Sequence, residues 1–380
     1  MSWTPIDQEN GRTPGTLPSP FLDVLTTGDE GSLPRSIHDF IHGTRDGDLL
    51  RIMSPVIDDK ESVEDIIAAR KRGVVVRVLT TLADRHGIHT KGWDASQDIG
   101  RHDESIRQLA REGVILRSPP STPHGKFLVR NASCCLFGSA NLAKGSLRGT
   151  ALEAGLMLED AGLSASLAET FDTIWRASPF SMRHRKGAVI LEEGGNNELA
   201  VASGTGEITE FATRVLASGP GCPDGKDRLV KSLRCAQHEV ILVAMSLYET
   251  NQIPDLHAAI LEALRCGVRI RAIVRLEHFR VEEEKGRYPD SSTVELIRAG
   301  MELYGVSGLH AKGLVVDDSW VAIQSSNFNP YSLDASREVC NVEIMVCDTC
   351  KSAPFSAYAL WMRALADSAR YQWVECPSAI

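Results

Sequence analysis

Apolar and polar positions fall into blocks that occur twice along the chain in the same order. Largely apolar runs at 47–57 (GDLLRIMSPVI) and 238–248 (HEVILVAMSLY) predict strands covered on both faces, since a strand with one wet face would alternate strictly. Stretches with apolar residues at helical spacing follow, VEDIIAARKRGVVVRVLTTL (63–82) and LHAAILEALRCGVRIRAIVRL (256–276). Each helix stops at a glycine, Gly73 or Gly267, suited to a C-terminal cap, and leads into a second strand. A further helix and strand recur in IRQLAREGVILRS (106–118) and VELIRAGMELYG (294–305), turning at Gly113 and Gly300. Each half then holds another apolar strand, ALEAGLMLE (151–159) or CNVEIMV (340–346), and a closing helix. The helical spacing of Phe171 and Trp175, and of Tyr358 and Trp361, predicts core packing.

This repeat predicts an α/β fold with a sandwich and a mixed sheet in each half. The expected organisation is an irregular N-terminal arm over 1–35, broken by Pro5, Pro14, Pro18, Pro20 and Pro34, then one lobe over 36–195 and another over 196–380. The boundary region is 180–200, where SPFSMRHRKG and EEGGNNE interrupt the apolar pattern. Two polar stretches, 83–103 and 277–291, follow strand ends and are expected to rim a site. Their candidates are His86, His89, Trp93, His278, Arg280 and Tyr288, with solvated loop residues as the plainer alternative; 281–287 (VEEEKGR) reads as an exposed charged face.

Composition narrows the class. A chain of 380 residues with 43% hydrophobic and 24% charged residues fits a two-lobed globular enzyme. The start, MSWTPIDQENGRTPG, lacks the basic and apolar regions of a secretory leader, and no apolar run approaches the ~18 residues of a membrane helix, so a cytoplasmic protein is expected. A net charge of -9 argues against a broad nucleic-acid face. Nine cysteines, an odd number, point to reduced thiols. Cys347 and Cys350 form a lone CxxC that would need two more ligands, with only Cys340 or Cys376 to suggest, so ordinary thiols are preferred to a metal; Cys134 and Cys135 lie in an apolar run and should be buried.

Chemistry enters with 124-HGKFLVRN-131 and 310-HAKGLVVD-317. The tripeptide HxK also occurs at His89 and His184, so alone it means little. At fifteen, seventeen and twenty-two residues past His124 stand Ser139, Asn141 and Ser146, and the same steps from His310 give Ser325, Asn327 and Ser332. From His89 they give Glu104, Ile106 and Arg111, and from His184 Leu199, Val201 and Gly206. Each true candidate also has a carboxylate on the next strand, Glu153 or Glu343, able to accept the Nδ1 hydrogen of the histidine in its own half. Together the copies supply lysines, asparagines and serines for the charge of a phosphodiester, one imidazole to attack phosphorus and another to protonate the leaving oxygen. No metal or other cofactor is called for.

These segments resemble the HxKxxxxD motif of the phospholipase D superfamily, with its following GSxN (138-GSAN-141 here) and its Glu-bearing strand, and the likeness covers nearly the whole chain. It implies two pseudo-symmetric lobes packed face to face around one shared site and a metal-independent phosphodiesterase or transfer reaction. It also implies His124 and His310 as nucleophile and acid/base, with the family pattern pointing to His124 as nucleophile. Lys126, Lys312, Ser139, Asn141, Ser325 and Asn327 would bind phosphate, Glu153 and Glu343 would orient the histidines, and Asn131 and Asp317 would be structural. The sequence departs from the pattern at Asn131, which replaces the motif aspartate, and at Gln324, which replaces the glycine before Ser325.

For the substrate, a phospholipid or related small phosphodiester is expected, cleaved or transferred by a monomer. The alternative is a nuclease, for which Arg275, Arg280, Lys285 and Arg287 are available but diluted by Glu277, Glu282, Glu283 and Glu284. A binding-only protein is disfavoured because the histidine, lysine, serine, asparagine and glutamate are present in both halves.

Overall fold

The computed structural model describes residues 2–6, 24–27, 31–82, 96–194, 214–279, 289–337 and 340–374. The chain begins with β1 (Ser2–Pro5), β2 (Leu25–Thr26), α1 (Ser32–His42), β3 (Leu49–Met53), α2 (Lys60–Lys71), β4 (Val75–Leu79), α3 (Ser96–Arg111) and β5 (Ile115–Ser118). It continues through β6 (Phe127–Arg130), β7 (Cys134–Gly138), α4 (Lys144–Leu147), β8 (Ala154–Leu158), α5 (Ala161–Ala177), β9 (Phe180–Arg185) and β10 (Ala188–Glu193). The second half holds β11 (Val215–Ser218), α6 (Asp224–Arg234), β12 (Glu239–Val243), α7 (Pro254–Arg265), β13 (Arg269–Arg275), α8 (Ser291–Arg298) and β14 (Glu302–Val306). It closes with β15 (Gly313–Val316), β16 (Trp320–Gln324), α9 (Pro330–Leu333), β17 (Glu343–Thr349), α10 (Ala353–Asp367) and β18 (Tyr371–Val374).

These strands make two mixed sheets with one plan, β10-β9-β5-β4-β3-β6-β7-β8-β2 and β1-β18-β14-β13-β12-β15-β16-β17-β11. The βαβ units read from the apolar pattern are present: β3 pairs parallel with β4, and β12 with β13. Gly73 and Gly267 lie just past α2 and α7 with φ of 95° and 82°, the left-handed conformation that lets the chain reverse into the next strand at no side-chain cost.

The N-terminal arm is less irregular than its prolines suggest. Ser2–Pro5 pairs antiparallel with β18 at the edge of the second lobe, Leu25–Thr26 pairs with β8 in the first, and α1 begins at Ser32. The first part of the expected boundary region, 180–193, forms the hairpin β9–β10, which adds two strands to the first sheet within the bounds expected for the first lobe. The polar stretch 83–103 also differs, because α3 already starts at Ser96. His86, His89, Trp93, Arg280, Tyr288 and Cys376 lie outside the described residues, while His278 is half-buried with its ring edge against Phe279.

Apolar packing forms three clusters. One lies between the first sheet and α1, α2 and α3, another between the second sheet and α6 and α7. The third takes residues from both sheets together with α5 and α10, so the lobes share a core. The aromatic pairs belong to it, with Phe171 and Trp175 stacked at 5.6 Å and Tyr358 and Trp361 at 5.5 Å. Arg214 adds a polar tie, pairing with Asp160 of the first lobe and with Asp348 of the second at 2.6 Å. Cys134, Cys135, Cys340, Cys347 and Cys350 form no disulfide among the described residues, and burial raises the thiol of Cys347 to about 12.

The last motif positions do equivalent work. Asn131 and Asp317 both adopt positive φ, 51° and 52°, at the turns after β6 and β15. Asp317 accepts the backbone N–H groups of Gln237, His238 and Glu239 at 3.0, 2.8 and 2.9 Å. Asn131 Oδ1 accepts from Leu49 N at 2.8 Å, and its Nδ2 donates to Asp48 Oδ1 at 2.5 Å. The negative charge has moved one residue away in space, onto Asp48, which also accepts from Arg45 N. Restoring the motif residue with Asn131→Asp should therefore lower stability, by about 1 kcal/mol, because two carboxylates would meet where a hydrogen bond now stands. Urea denaturation measures it, and adding Asp48→Asn should recover the loss.

Candidate active site

Both histidines sit on short segments that enter β6 and β15, and each segment forms a parallel bridge to the other lobe. His124 N donates to Val342 O at 2.8 Å, and Val342 N donates to Thr122 O at 2.8 Å. Across the pseudo-twofold, His310 N donates to Leu152 O at 2.9 Å and Leu152 N to Gly308 O at 2.8 Å. Val342 and Leu152 are the residues just before Glu343 and Glu153. The backbone thus carries each glutamate to the histidine of the opposite lobe. His124 Nδ1 bonds Glu343 Oε2 at 2.8 Å, and His310 Nδ1 bonds Glu153 Oε1 at 2.8 Å.

This corrects the expectation that a glutamate serves the histidine of its own half. The exchange follows from docking two equivalent segments about a pseudo-twofold axis, which brings opposite halves of the repeat together.

Ser139 and Ser325, expected to bind phosphate, are fully buried and turned to the glutamates. Ser139 Oγ donates to Glu153 Oε2 at 2.6 Å and accepts from Ala154 N at 3.0 Å. Ser325 Oγ donates to Glu343 Oε2 at 2.5 Å and accepts from Ile344 N at 2.9 Å. A hydroxyl has one proton to give, so these two support the carboxylates and cannot also donate to a ligand.

The lysines are buried with their ammonium groups donating to the histidine carbonyls, Lys126 Nζ to His124 O at 2.5 Å and Lys312 Nζ to His310 O at 2.6 Å. Each ammonium has further donors to offer an anion. Asn327 is buried and its Oδ1 accepts from Ser246 N at 3.3 Å. Asn141 Oδ1 is buried with no partner among the described residues. Ser146 and Ser332 are buried in α4 and α9.

Two neighbours of the site were not read as such from the sequence, Asn341 and Tyr358, the second expected only in the core. Asn341 Nδ2 donates to Glu343 Oε1 at 3.2 Å, and Tyr358 Oη donates to Lys312 O at 3.0 Å. Aligning 341-NVE-343 on 151-ALE-153, and Tyr358 on Phe171, exposes both as polar substitutions confined to one half. The Gly138 position is tight, since a Cβ there would stand 2.8 Å from Ala154 O. Its counterpart Gln324 is buried and donates from Nε2 to Ser326 O at 3.2 Å.

Electrostatics couple the six central groups. Burial pushes His124 down, and it pushes His310 down to about 4, with both lysines adding to it and the paired glutamates opposing. Burial likewise lowers Lys126 to about 7 and Lys312 to about 8. Burial acts to raise the glutamates, but the histidine and lysine beside each outweigh it and hold Glu153 and Glu343 at about 2. The resting site therefore has ionised carboxylates and neutral imidazoles whose Nδ1–H points inward. The histidine side chains remain 16% and 17% accessible, enough to present the opposite edge, Nε2, to a ligand.

A pH dependence follows. A phosphohistidine reaction would need one neutral imidazole to attack, one imidazolium to protonate the leaving oxygen and cationic lysines to hold the phosphate. So kcat/KM, which reports free-enzyme groups, should already decline above about pH 4 with His310 and fall more steeply as the pH rises through about 7 to 8 with Lys126 and Lys312. The fall in kcat should come at higher pH, because bound phosphate favours the ammonium form. A kcat/KM that is flat across this range would contradict the assignment of these lysines.

A family model described as "Cardiolipin synthase, PLD-like domain" matches residues 39–175 and 229–351, both HxK segments included. The chain belongs to the phospholipase D superfamily. No curated protein sequence matches this one. Among solved structures, phosphatidylserine synthase from Haemophilus influenzae Rd KW20 is similar, with TM-score 0.64 and 12% identity over 92% of this chain and 87% of that one. Polyphosphate kinase from Porphyromonas gingivalis is similar at TM-score 0.58 and 13% identity, over 94% of this chain and 52% of the kinase. At such identities the likeness concerns the fold, here the two-lobed phospholipase D arrangement with mixed sheets.

Proposed function

We propose that this phospholipase D superfamily member is a phosphodiesterase or phosphatidyltransferase that acts on a phospholipid through a covalent phosphohistidine. The observation that carries the reading is the crossed pair, two imidazoles each held by a glutamate of the other lobe beside two buried lysines. Nε2 of His124 attacks phosphorus while the lysines and Asn141 meet the charge on the non-bridging oxygens. The phosphodiester's negative charge draws a second proton onto His310, Nε2–H of the resulting imidazolium protonates the departing oxygen, and the P–O bond breaks as the P–N bond forms. His310, now neutral, takes the proton from water or an alcohol that attacks the phosphohistidine, which releases His124.

A phospholipid is favoured because the matching family model and the more similar solved structure carry the names of phospholipid synthases. Among the described residues no helix is long and apolar enough to cross a membrane, so the lipid would be met at a surface.

The test incubates the full chain and EDTA with phospholipid vesicles, single- and double-stranded nucleic acids and aryl phosphodiesters, with and without an added alcohol. Chelator-resistant release of the lipid headgroup supports the reading, and exchanged product with alcohol marks it as a transferase. Turnover of nucleic acid alone would transfer the chemistry to the nuclease alternative. Turnover lost to EDTA would overturn the mechanism.

A further inference from the structure

We propose that His38, His42 and Asp65 form a binding site for a divalent transition-metal ion, of which zinc is the natural probe, on the outer layer of the first lobe. His38 and His42 stand one turn apart on α1, so their rings project from the same face and stack at 4.1 Å. Asp65 comes from the neighbouring helix α2, with its side chain 10% accessible. Each carboxylate oxygen meets a different ring, Asp65 Oδ2 with His38 Nδ1 at 2.8 Å and Oδ1 with His42 Nε2 at 2.9 Å. Among the described residues this is the only group of three such ligand atoms lying within 4.8 Å of one another.

Two imidazoles and a carboxylate suit zinc, copper or nickel, whereas magnesium and calcium favour all-oxygen surroundings. Around a tetrahedral zinc with bonds of about 2.0–2.1 Å, neighbouring ligand atoms stand roughly 3.3 Å apart. The present N···O separations need to open by only about half an ångström. Entry also requires no net loss of protons from neutral rings: the hydrogen on His38 Nδ1 passes to Nε2, that on His42 Nε2 passes to Nδ1, and the freed lone pairs turn to the ion. The histidine side chains are each 47% accessible, which leaves a fourth position open to water. The sole ligand that is buried is the one already charged, so an ion here would neutralise a carboxylate at the seam between two helices. Its effect would be to clamp α1 to α2, on the face of the sheet opposite α5 and the shared core.

The experiment uses the full chain, stripped with chelator, dialysed and alkylated at its thiols so that the exposed Cys235 and Cys266 cannot compete. Zinc chloride is titrated by calorimetry, and melting temperature is read with and without it. The expected result is one ion per chain, a melting temperature that rises with zinc, and affinity weakened roughly tenfold or more in His38→Ala and in His42→Ala. Both variants, half-exposed and remote from the paired histidines, should keep the turnover of the zinc-free parent, and their own melting temperatures should no longer rise with zinc. Zinc binding unchanged in both variants, or a parent whose melting temperature ignores zinc, overturns the site. Cobalt offers a second readout, since a histidine–carboxylate site gives visible ligand-field bands that both variants should lose. Chelator-resistant turnover would leave this result untouched, and a failed zinc titration would leave the phosphodiesterase reading untouched.

Discussion

Alanine at either His124 or His310 should lower turnover of an alkyl phosphodiester on the order of 10⁴-fold, and the two variants should then differ on an activated substrate. An alkoxide leaves only if it is protonated, whereas p-nitrophenolate leaves unaided. With His310 as acid, His310→Ala should still react with a p-nitrophenyl phosphodiester, give a burst of nitrophenolate, and stall as a phosphohistidine that mass spectrometry finds on the His124 peptide. His124→Ala should give no burst and no adduct, since the P–N bond cannot form. The reverse pattern would exchange the two roles. A burst in neither variant would argue against covalent catalysis by this pair.

The second large effect tests the crossing. Glu153→Gln and Glu343→Gln keep shape and volume but remove the charge that supports the imidazolium, and each should cost about 10²- to 10³-fold on alkyl substrates. Because Glu343 holds His124 and Glu153 holds His310, each variant should imitate alanine at the histidine of the opposite lobe. Glu153→Gln should thus regain much of its loss with a p-nitrophenyl leaving group, and Glu343→Gln should not. Combining Glu343→Gln with His124→Ala should add little to the histidine change alone, as expected of residues acting as one unit. Rescue of Glu343→Gln in place of Glu153→Gln would mean that the glutamates act within their own lobes.

What the sequence disclosed depended on the range of each interaction. Strands β3 and β12, the helices after them and the glycine turns are set by local spacing, and they were legible. So were His124, Lys126, His310 and Lys312, because residues downstream recur at fixed steps. The destination of Glu153 and Glu343 was not legible, since it depends on how two lobes dock, and pattern within one half carries no such information. The serines misled for a similar reason: an O–H beside a phosphate motif looks like a ligand until a buried carboxylate is found 2.5 to 2.6 Å away. The β9–β10 hairpin fell within the expected boundary region because its middle, RHRKG (183–187), is polar and exposed. Asn131 stood out as a departure from the motif because the compensating charge, Asp48, lies far from it in sequence and beside it in space.

The placement of β1 has a consequence for dividing the protein. In the second sheet it fills the edge position that β10 fills in the first, yet it lies at the opposite end of the chain from its partner β18. A protein cleaved in the segment between the lobes would yield a C-terminal fragment lacking its ninth strand, with the backbone groups of β18 unpaired along one side. The N-terminal fragment would carry the missing strand with nothing to pair it. An open edge of that kind recruits strands from other molecules. The fragments should therefore be aggregation-prone apart and should reassemble when mixed, the N-terminal one returning the ninth strand and each supplying a glutamate that the other cannot do without.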